Sequence, residues 1–181
     1  TRKMGPPFVR NAVTGEDADA AYFLAANRGK ESVAVDITTP EGSKLVRALA
    51  AHCDVLVENY KVGGLAKYGL DYDSLRSELP ALIYCSITGF GQTGPYRQRA
   101  GYDYLIQGMG GLMSVTGEPD GEPGGGPQRA GVALADILSG MYASMAILAA
   151  LRHRDAGGSG QHIDIGMLDV QVATLANQAM N

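Results

Sequence analysis

Short apolar segments separated by helical spacings dominate the first half of the chain. β-Branched and polar residues alternate from Ser32 to Ile37, and two further apolar runs, Asp54 to Asn59 and Ala81 to Ile87, are typical of short strands. Because runs of this kind are buried on both faces in parallel sheets, we expect the three strands to lie in one parallel sheet.

The segments between these strands predict helices. Thr39 is suited to cap a helix with Pro40 at its first position, and that helix is expected to end near His52. Smaller helices are expected around Leu65 to Tyr68 and across Asp73 to Glu78. The β-α-β-α-β order predicts an α/β fold with helices on the faces of the sheet, and ligands bind such folds at the carboxyl ends of the strands.

Three segments predict irregular structure. Residues 1–30 are expected to follow the surface and to end in a turn at Asn27 to Gly29. The glycine-rich loop from Thr88 to Pro95 lacks the glycine order and the lysine of a phosphate-binding loop. Residues Thr116 to Arg129 form a Pro- and Gly-rich stretch that is typical of a mobile connection.

The longest weakly charged run, Ala130 to Leu151, has about the length of a membrane span. It contains Asp136, however, and an aspartate at the centre of a span costs roughly 2.5–3.5 kcal/mol. We therefore predict a buried core helix and no membrane partner.

Composition and charge narrow the class of protein further. The chain has 181 residues, of which 45% are hydrophobic and 19% charged, as expected for one globular domain. A net charge of −4 without a long basic run does not favour binding to nucleic acid. Cys53 and Cys85 lie in apolar segments without metal-ligand spacing, which predicts two buried thiols, a reduced compartment and no metal site.

Asp136 is the candidate for chemistry, because it is the one charge in a long apolar run. A carboxylate in such a setting is hydrogen-bonded, paired or functional. Two roles stay open on the residues alone: a cap at the start of the following helix, or a nucleophile in covalent catalysis.

The remaining titratable candidates favour structural roles. His52, His153 and His162 are far apart and without ligand spacing, which predicts surface or capping histidines rather than a general base. Asp164 and Asp169 lie at an expected strand-to-helix junction, where capping of the next helix is the simpler interpretation.

Several segments of the chain, in the same order, resemble the class III CoA-transferases, the group of formyl-CoA and carnitine-CoA transferases. They are AYFLAANRGKESVAVDITTPEG, DVLVENYKVGGLAKYGLDYDSLRSELPALIYCSITGFGQTGP, RAGYD, GVALADILSGMYASMAILAAL and GSGQHIDIGMLDVQV. Within the group they are most similar to succinyl-CoA-dependent dicarboxylate transferases of the succinate–hydroxymethylglutarate type. The resemblance implies a Rossmann-like parallel sheet in the N-terminal part of the family's large domain.

The resemblance also implies a mechanism of CoA transfer and the residues that perform it. Asp136 would attack an acyl-CoA, with succinyl-CoA as the expected donor, and pass CoA to a carboxylic acid, expected to be a dicarboxylate, through aspartyl anhydride and aspartyl-CoA intermediates. Backbone amides at the start of the following helix would stabilise the oxyanions. The implied contacts to CoA are Val35, Thr38, Asn59, Tyr60, Lys61, Lys67, Gly101 and Tyr102. Lys67 stands where formyl-CoA transferase has an arginine, and a lysine meets phosphate without the bidentate fork.

Family organisation supplies further expectations. Residues 1–181 would be part of the large CoA-binding domain, with the family's N-terminal segment, small domain and C-terminal return absent. The full-length protein would be an interlocked homodimer in the cytoplasm, with CoA as substrate and no metal. The alternatives are an enzyme similar to α-methylacyl-CoA racemase, which has a histidine where this chain has Tyr102, and a CoA-binding fragment without catalysis. A phenol with a pKa near 10 is a poor base at neutral pH, which disfavours racemisation.

Overall fold

A computed structural model describes residues 2–180, which divide into two compact units at Val35. The first unit holds a two-stranded antiparallel sheet of β1 (Phe8–Arg10) and β2 (Asp17–Ala20), followed by helix α1 (Ala21–Asn27). The predicted turn after this segment is confirmed at residues 28–29, whereas the hairpin and the helix were not predicted.

The second unit, from Asp36 onward, contains a three-stranded parallel sheet and five α-helices among the described residues. Its strands are β3 (Val55–Glu58), β4 (Ile83–Thr88) and β5 (His162–Gly166). Its helices are α2 (Pro40–Ala50), α3 (Tyr72–Leu75), α4 (Asp103–Met109), α5 (Leu134–Asp155) and α6 (Met167–Thr174). Short 3₁₀ helices cover Ala66–Tyr68, Leu112–Ser114 and Ala176–Met180.

Helix α2 begins as its sequence predicts. The hydroxyl of Thr39 accepts a hydrogen bond from the Gly42 N–H at 3.0 Å, and Pro40 occupies the first helical position, where no donor is needed. The helix ends at Ala50, close to the predicted end.

Sheet order is β3-β4-β5, with β4 at the centre. Val55 pairs with Ile83, and Tyr84 pairs with His162, so that the strands run parallel and their carboxyl ends meet at one edge. The parallel α/β architecture is therefore confirmed. The third strand of the sheet comes from residues 162–166, at the predicted strand-to-helix junction.

The predicted strand from Ser32 to Ile37 is wrong. Residues 31–36 have no regular secondary structure, and residues 37–38 form a turn. β-Branched alternation gives a strand only where a neighbouring strand supplies hydrogen-bond partners, and no described strand pairs with this segment.

Helices cover both faces of the sheet. On one face, Cys85 and Ile165 pack against Ala143 of α5 and Val170 of α6. On the other face, Tyr84 packs with Leu75 of helix α3 and with nearby apolar side chains. Alternate residues of each strand point to opposite faces, which gives these two separate clusters.

Helix α5 is buried along one face only. Its buried residues are Ala135, Ser139, Ala143 and Ala150, spaced four or seven residues apart. Its opposite face exposes Met141, Met145 and Leu148, so the predicted buried core helix is buried on one face only. By length and composition α5 could also cross a membrane, a weak indication because core helices of soluble proteins have the same properties.

The two cysteines differ in burial. Cys85 is buried in β4, and burial raises the pKa of its thiol to about 11. Cys53 is exposed just after α2, where its thiol donates to the Leu49 carbonyl at 3.3 Å. The prediction of two buried thiols is therefore wrong for Cys53, because it lies in the exposed connection between α2 and β3.

Candidate functional site

A cleft of about 400 Å³ opens where strands β3 and β4 end and helix α5 begins. We call it the Asp136 cleft. Its lining residues are Asn59, Ile87, Gly101, Tyr102, Asp103, Asp136, Ser139, Gly140 and Met167. This is the edge of the sheet at which parallel α/β folds bind ligands.

Asp136 is the third residue of α5 and is largely exposed to this cleft. Among the described residues, its carboxylate has no hydrogen-bond or ion-pair partner. Partial burial and the negative charge of Asp103 raise the pKa of Asp136 above its ordinary value. The result is an accessible carboxylate that the surrounding groups do not stabilise.

Asp103 caps the start of α5 from a different helix. One oxygen of its carboxylate, Oδ1, accepts hydrogen bonds from the N–H groups of Ala135 at 2.8 Å and of Asp136 at 3.4 Å. The prediction that Asp136 itself caps helix α5 is therefore wrong, because Asp103 already accepts the hydrogen bonds of these amides.

The backbone amides at the start of α5 are all engaged. Besides the two that Asp103 accepts, the N–H of Leu134 donates to Val132 and the N–H of Ile137 donates to Ala133. Each of these amides already has an acceptor, so the stabilisation of oxyanions by them stays a prediction.

A second pocket, of about 170 Å³, adjoins the Asp136 cleft and shares Asn59, Gly101 and Tyr102 with it. We call it the strand-end pocket. Five of the residues predicted to contact CoA line it, namely Asn59, Tyr60, Lys61, Gly101 and Tyr102. The structure thus brings most of the predicted contacts together beside Asp136.

The strand-end pocket also contains residues that the sequence did not single out. Arg97 and Arg99 add two cations to Lys61, and Thr88 contributes a hydroxyl that is buried without a hydrogen-bond partner. A cationic pocket with an unsatisfied hydroxyl is suited to an anionic, hydrogen-bonding ligand. The arginines lie in the loop after the glycine-rich segment, and their charge was the one available signal.

Backbone packing fixes the shape of this region. The amide of Asn59 donates to the carbonyl of Ile87 and so joins the ends of β3 and β4. Gly89 and Gly101 approach so closely that a Cβ on either residue would overlap the Cα of the other. Gly101 therefore has a structural reason to be glycine, whatever ligand the pocket takes.

Three predicted CoA contacts are not among the residues that line these two pockets. Val35 is a half-buried residue at the end of the first unit. Thr38 is exposed, and both its N–H and its hydroxyl donate to Asp36, whose pKa these bonds lower. The ammonium of Lys67 lies 4.7 Å from the ring centre of Tyr68 and does not line the two pockets described here.

Two of the other titratable candidates, Asp164 and His162, have structural partners. Helix α6 has no side-chain cap among the described residues, so the predicted capping by Asp164 or Asp169 is wrong. Asp164 accepts a hydrogen bond from the Gln92 N–H at 2.8 Å, and Asp169 lies in the first turn of α6. His162 stacks on Tyr72, with ring centres 4.7 Å apart, and its Nε2 lies 3.0 Å from the Ser86 hydroxyl.

None of the residues lining the Asp136 cleft is a histidine. Within residues 2–180, no group of three or more His, Cys, Asp or Glu side chains is placed to hold a metal ion. Absence of a metal stays a prediction.

Comparison with known proteins identifies relatives along the whole chain. A sequence profile of CoA-transferase family III matches residues 1–181. The succinate–glutarate CoA-transferase of Agrobacterium fabrum is 61% identical over 181 residues, which are 100% of this chain and 44% of the relative. The human succinyl-CoA:glutarate CoA-transferase is 46% identical, again over 100% of this chain and over 39% of the relative.

Solved structures agree with the sequence matches. The crystal structure of a CAIB/BAIF family protein from Brucella suis superposes with a TM-score of 0.91 at 58% identity, over 100% of this chain and 46% of that one. The chain thus spans less than half the length of the relatives it matches. A match over every residue, together with the same parallel fold, shows that the chain belongs to CoA-transferase family III.

Proposed function

We propose that the full-length protein transfers CoA from succinyl-CoA to a carboxylic acid, expected to be a dicarboxylate, with Asp136 as the nucleophile. The observation that carries the proposal is the Asp136 carboxylate, which is open to the cleft and has no partner among the described residues. The names of two relatives, a succinate–glutarate CoA-transferase and a succinyl-CoA:glutarate CoA-transferase, support the choice of substrates.

The reaction begins with attack of an Asp136 carboxylate oxygen on the thioester carbonyl. The C–S bond breaks, CoA leaves as its thiolate, and a mixed anhydride forms. The thiolate then attacks the aspartyl carbonyl of the anhydride, which gives an aspartyl-CoA thioester and releases the first acid as a carboxylate. No proton or water is consumed in these steps.

The second half of the reaction reverses the first half with a new acid. Its carboxylate attacks the aspartyl-CoA thioester, expels the CoA thiolate and forms a second anhydride. The thiolate attacks the acyl carbonyl that came from the new acid, which releases the new acyl-CoA and restores the Asp136 carboxylate. Because the overall reaction exchanges one thioester and one carboxylate for another thioester and another carboxylate, it is nearly balanced in free energy.

The raised pKa of Asp136 supports this role. A carboxylate that its surroundings do not stabilise is more basic and, once ionised, more nucleophilic than an ordinary exposed aspartate. Asn59, Tyr60, Lys61, Gly101 and Tyr102 are proposed to hold CoA beside it, because they line the adjoining pocket. The proposed contacts to CoA of the other three residues, Val35, Thr38 and Lys67, rest on the family resemblance alone.

Racemisation is the less favoured alternative. The two-base reaction needs a histidine beside the aspartate, and this cleft has Tyr102 instead of a histidine in its lining. Residues 1–181 are proposed to be part of the large CoA-binding domain, and the full-length protein an interlocked cytoplasmic homodimer.

The covalent intermediate provides the test. We expect that full-length protein incubated with succinyl-CoA, then treated with hydroxylamine or borohydride, is modified on the peptide containing Ala135, Asp136 and Ile137. Asp136→Asn protein treated in the same way is the control and should remain unmodified. Modification of Asp164 or Asp169 instead, or exchange of CoA by the Asp136→Asn protein at the normal rate, would refute the assignment.

A further inference from the structure

Gln107 is a fully buried amide that connects helix α4 to the segment preceding Asp136. It lies one turn after Asp103 and is 0% exposed. Its Nε2 donates to Asp103 Oδ2 at 2.7 Å and to the carbonyl of Val132 at 3.2 Å. Its Oε1 accepts from the N–H of Ala130 at 3.0 Å.

These bonds hold the start of α5 from two sides. Gln107 binds the backbone at residues 130 and 132, directly before the helix, and it also binds one carboxylate oxygen of Asp103. The other oxygen of Asp103 accepts the Ala135 and Asp136 amides. A burial this complete is tolerated for a polar amide because each of its polar atoms has a partner.

We propose that Gln107 is a positioning residue for the Asp136 nucleophile, acting through Asp103 and through the backbone of residues 130–132. The inference rests on the proposed function of Asp136 and adds a residue that does not touch the substrate. A glutamine is suited to position 107 because its amide donates a hydrogen bond to the Asp103 carboxylate without adding a charge. A lysine or arginine would neutralise the carboxylate that lies beside Asp136.

Gln171 provides a matched control on helix α6. It is also a buried glutamine, 1% exposed, and its Nε2 donates to the hydroxyl of Thr174 at 3.2 Å. Its Oε1 has no partner among the described residues, and it makes no described hydrogen bond to residues 130–136. Replacing it tests the general effect of changing a buried glutamine.

The first measurement is amide hydrogen exchange on full-length protein. We expect Gln107→Met to speed exchange in the peptide covering residues 130–136 by about tenfold or more, because the hydrogen bonds that hold this segment are lost. Gln171→Met should leave exchange in that peptide unchanged. This readout does not depend on whether the protein transfers CoA.

The second measurement is kinetic. Gln107→Met is expected to lower kcat by roughly 10- to 100-fold, since small displacements of a reacting group have effects of this size, with the Kd of CoA changed less than about threefold. Gln171→Met should keep kcat within about threefold of the wild type.

Gln107→Glu tests the same hydrogen bond if the methionine variant folds poorly. The introduced carboxyl donates to Asp103 only while it is protonated, so kcat relative to the wild type should fall as the pH rises.

Three results would overturn the inference: unchanged exchange at residues 130–136 in Gln107→Met, equal loss of kcat in Gln107→Met and Gln171→Met, or a flat relative pH profile for Gln107→Glu. Failure of the proposed function is a different result, namely CoA transfer that survives Asp136→Asn.

Discussion

Two exposed aspartates in the same half of the molecule, Asp136 at the start of α5 and Asp164 on strand β5, have different surroundings. Asp164 Oδ2 accepts the N–H of Gln92 at 2.8 Å and so fixes the glycine-rich loop that follows β4. At Gly91 in this loop, with φ of +78°, an added Cβ would lie 3.4 Å from the same carboxylate oxygen. Asp164 is therefore part of the packing of the loop.

The Asp136 carboxylate receives no such bond from the described residues. Its neighbour Asp103 takes the amides that open α5 and leaves Asp136 next to a second negative charge. Hydrogen bonds to a carboxylate stabilise its ionised form, and a like charge destabilises it. Asp164 is thus held by a hydrogen bond, whereas Asp136, whose neighbouring amides are taken by Asp103, has a carboxylate without a hydrogen-bond partner among the described residues, as its proposed role as nucleophile requires.

Replacing each of the two aspartates by asparagine tests this contrast with the largest effect. Asp136→Asn is expected to lower kcat for CoA transfer by at least roughly 1,000-fold, because an amide is not a competent nucleophile. Asp164→Asn keeps a carbonyl oxygen that accepts the Gln92 N–H, and its kcat should stay within about fivefold of the wild type. Steady-state assays of full-length protein with succinyl-CoA and glutarate measure both. Equal losses of kcat in the two variants would contradict the different roles given to Asp136 and Asp164.

Removing Asp103, which accepts the amides at the start of α5, should have the next largest effect. Asp103→Ala leaves the Ala135 and Asp136 amides without their acceptor, and the lost cap should lower the free energy of unfolding by about 0.5–2 kcal/mol. We expect kcat to fall roughly 10- to 100-fold because Asp136 is then less well held. Urea unfolding and steady-state kinetics are the measurements.

Asp73→Ala is the matched control for this change. Asp73 also lies in the first turn of a helix, but it is exposed and pairs with Arg76 at the surface, a contact that contributes about 0–1 kcal/mol. Should Asp73→Ala reduce kcat as strongly as Asp103→Ala, the role given to Asp103 would be wrong.

Local signals in the sequence were sufficient for much of the fold. Helix α2 begins at Pro40 because Thr39 and Pro40 are both suited to a helix start, and β3 and β4 coincide with apolar runs. The strand expected at residues 32–37 failed because its partner is not determined by its own residues. Long-range hydrogen bonding is the information that local pattern lacks.

The same limit applies to the candidate site. Asp136 was recognisable as the one charge in an apolar run, and Asp103 and Gln107 stand four residues apart, a spacing that places them on one helix face. The hydrogen bond from Ala135 to Asp103 joins residues 32 positions apart, and no local spacing predicts it. The capping of α5 was therefore accessible only from the structure.

Two lysines that are proposed to bind CoA differ in their surroundings, as Asp136 and Asp164 do. Lys61 lines the strand-end pocket, whereas the ammonium of Lys67 lies over the ring of Tyr68. We expect Lys61→Glu to raise the KM for succinyl-CoA by roughly tenfold and Lys67→Glu by roughly threefold. In both variants KM should change far more than kcat, since phosphate recognition remote from the thioester is mostly uniform binding. A larger effect of Lys67→Glu would place the phosphates outside the strand-end pocket.

The smallest expected effect is a gain in stability when the charge of Asp136 is removed. The pKa of Asp136 is raised above its ordinary value of 3.8, so just above that pH the folded protein binds more protons than the unfolded chain. The contribution of Asp136 to the free energy of unfolding therefore falls as the pH rises through this range. Asp136→Asn carries no such charge and should be the more stable protein at pH 7, with the difference disappearing below the ordinary value.

The gain should stay below about 1 kcal/mol, because solvent screens the repulsion at an exposed side chain. Thermal unfolding of both proteins across the pH range measures it, and the same substitution in an Asp103→Asn background separates its two causes. With the charge of Asp103 gone, only the partial burial of Asp136 remains, and the gain should shrink. If Asp136→Asn instead lowers Tm at neutral pH, the carboxylate has a stabilising partner, and the contrast with Asp164 does not hold.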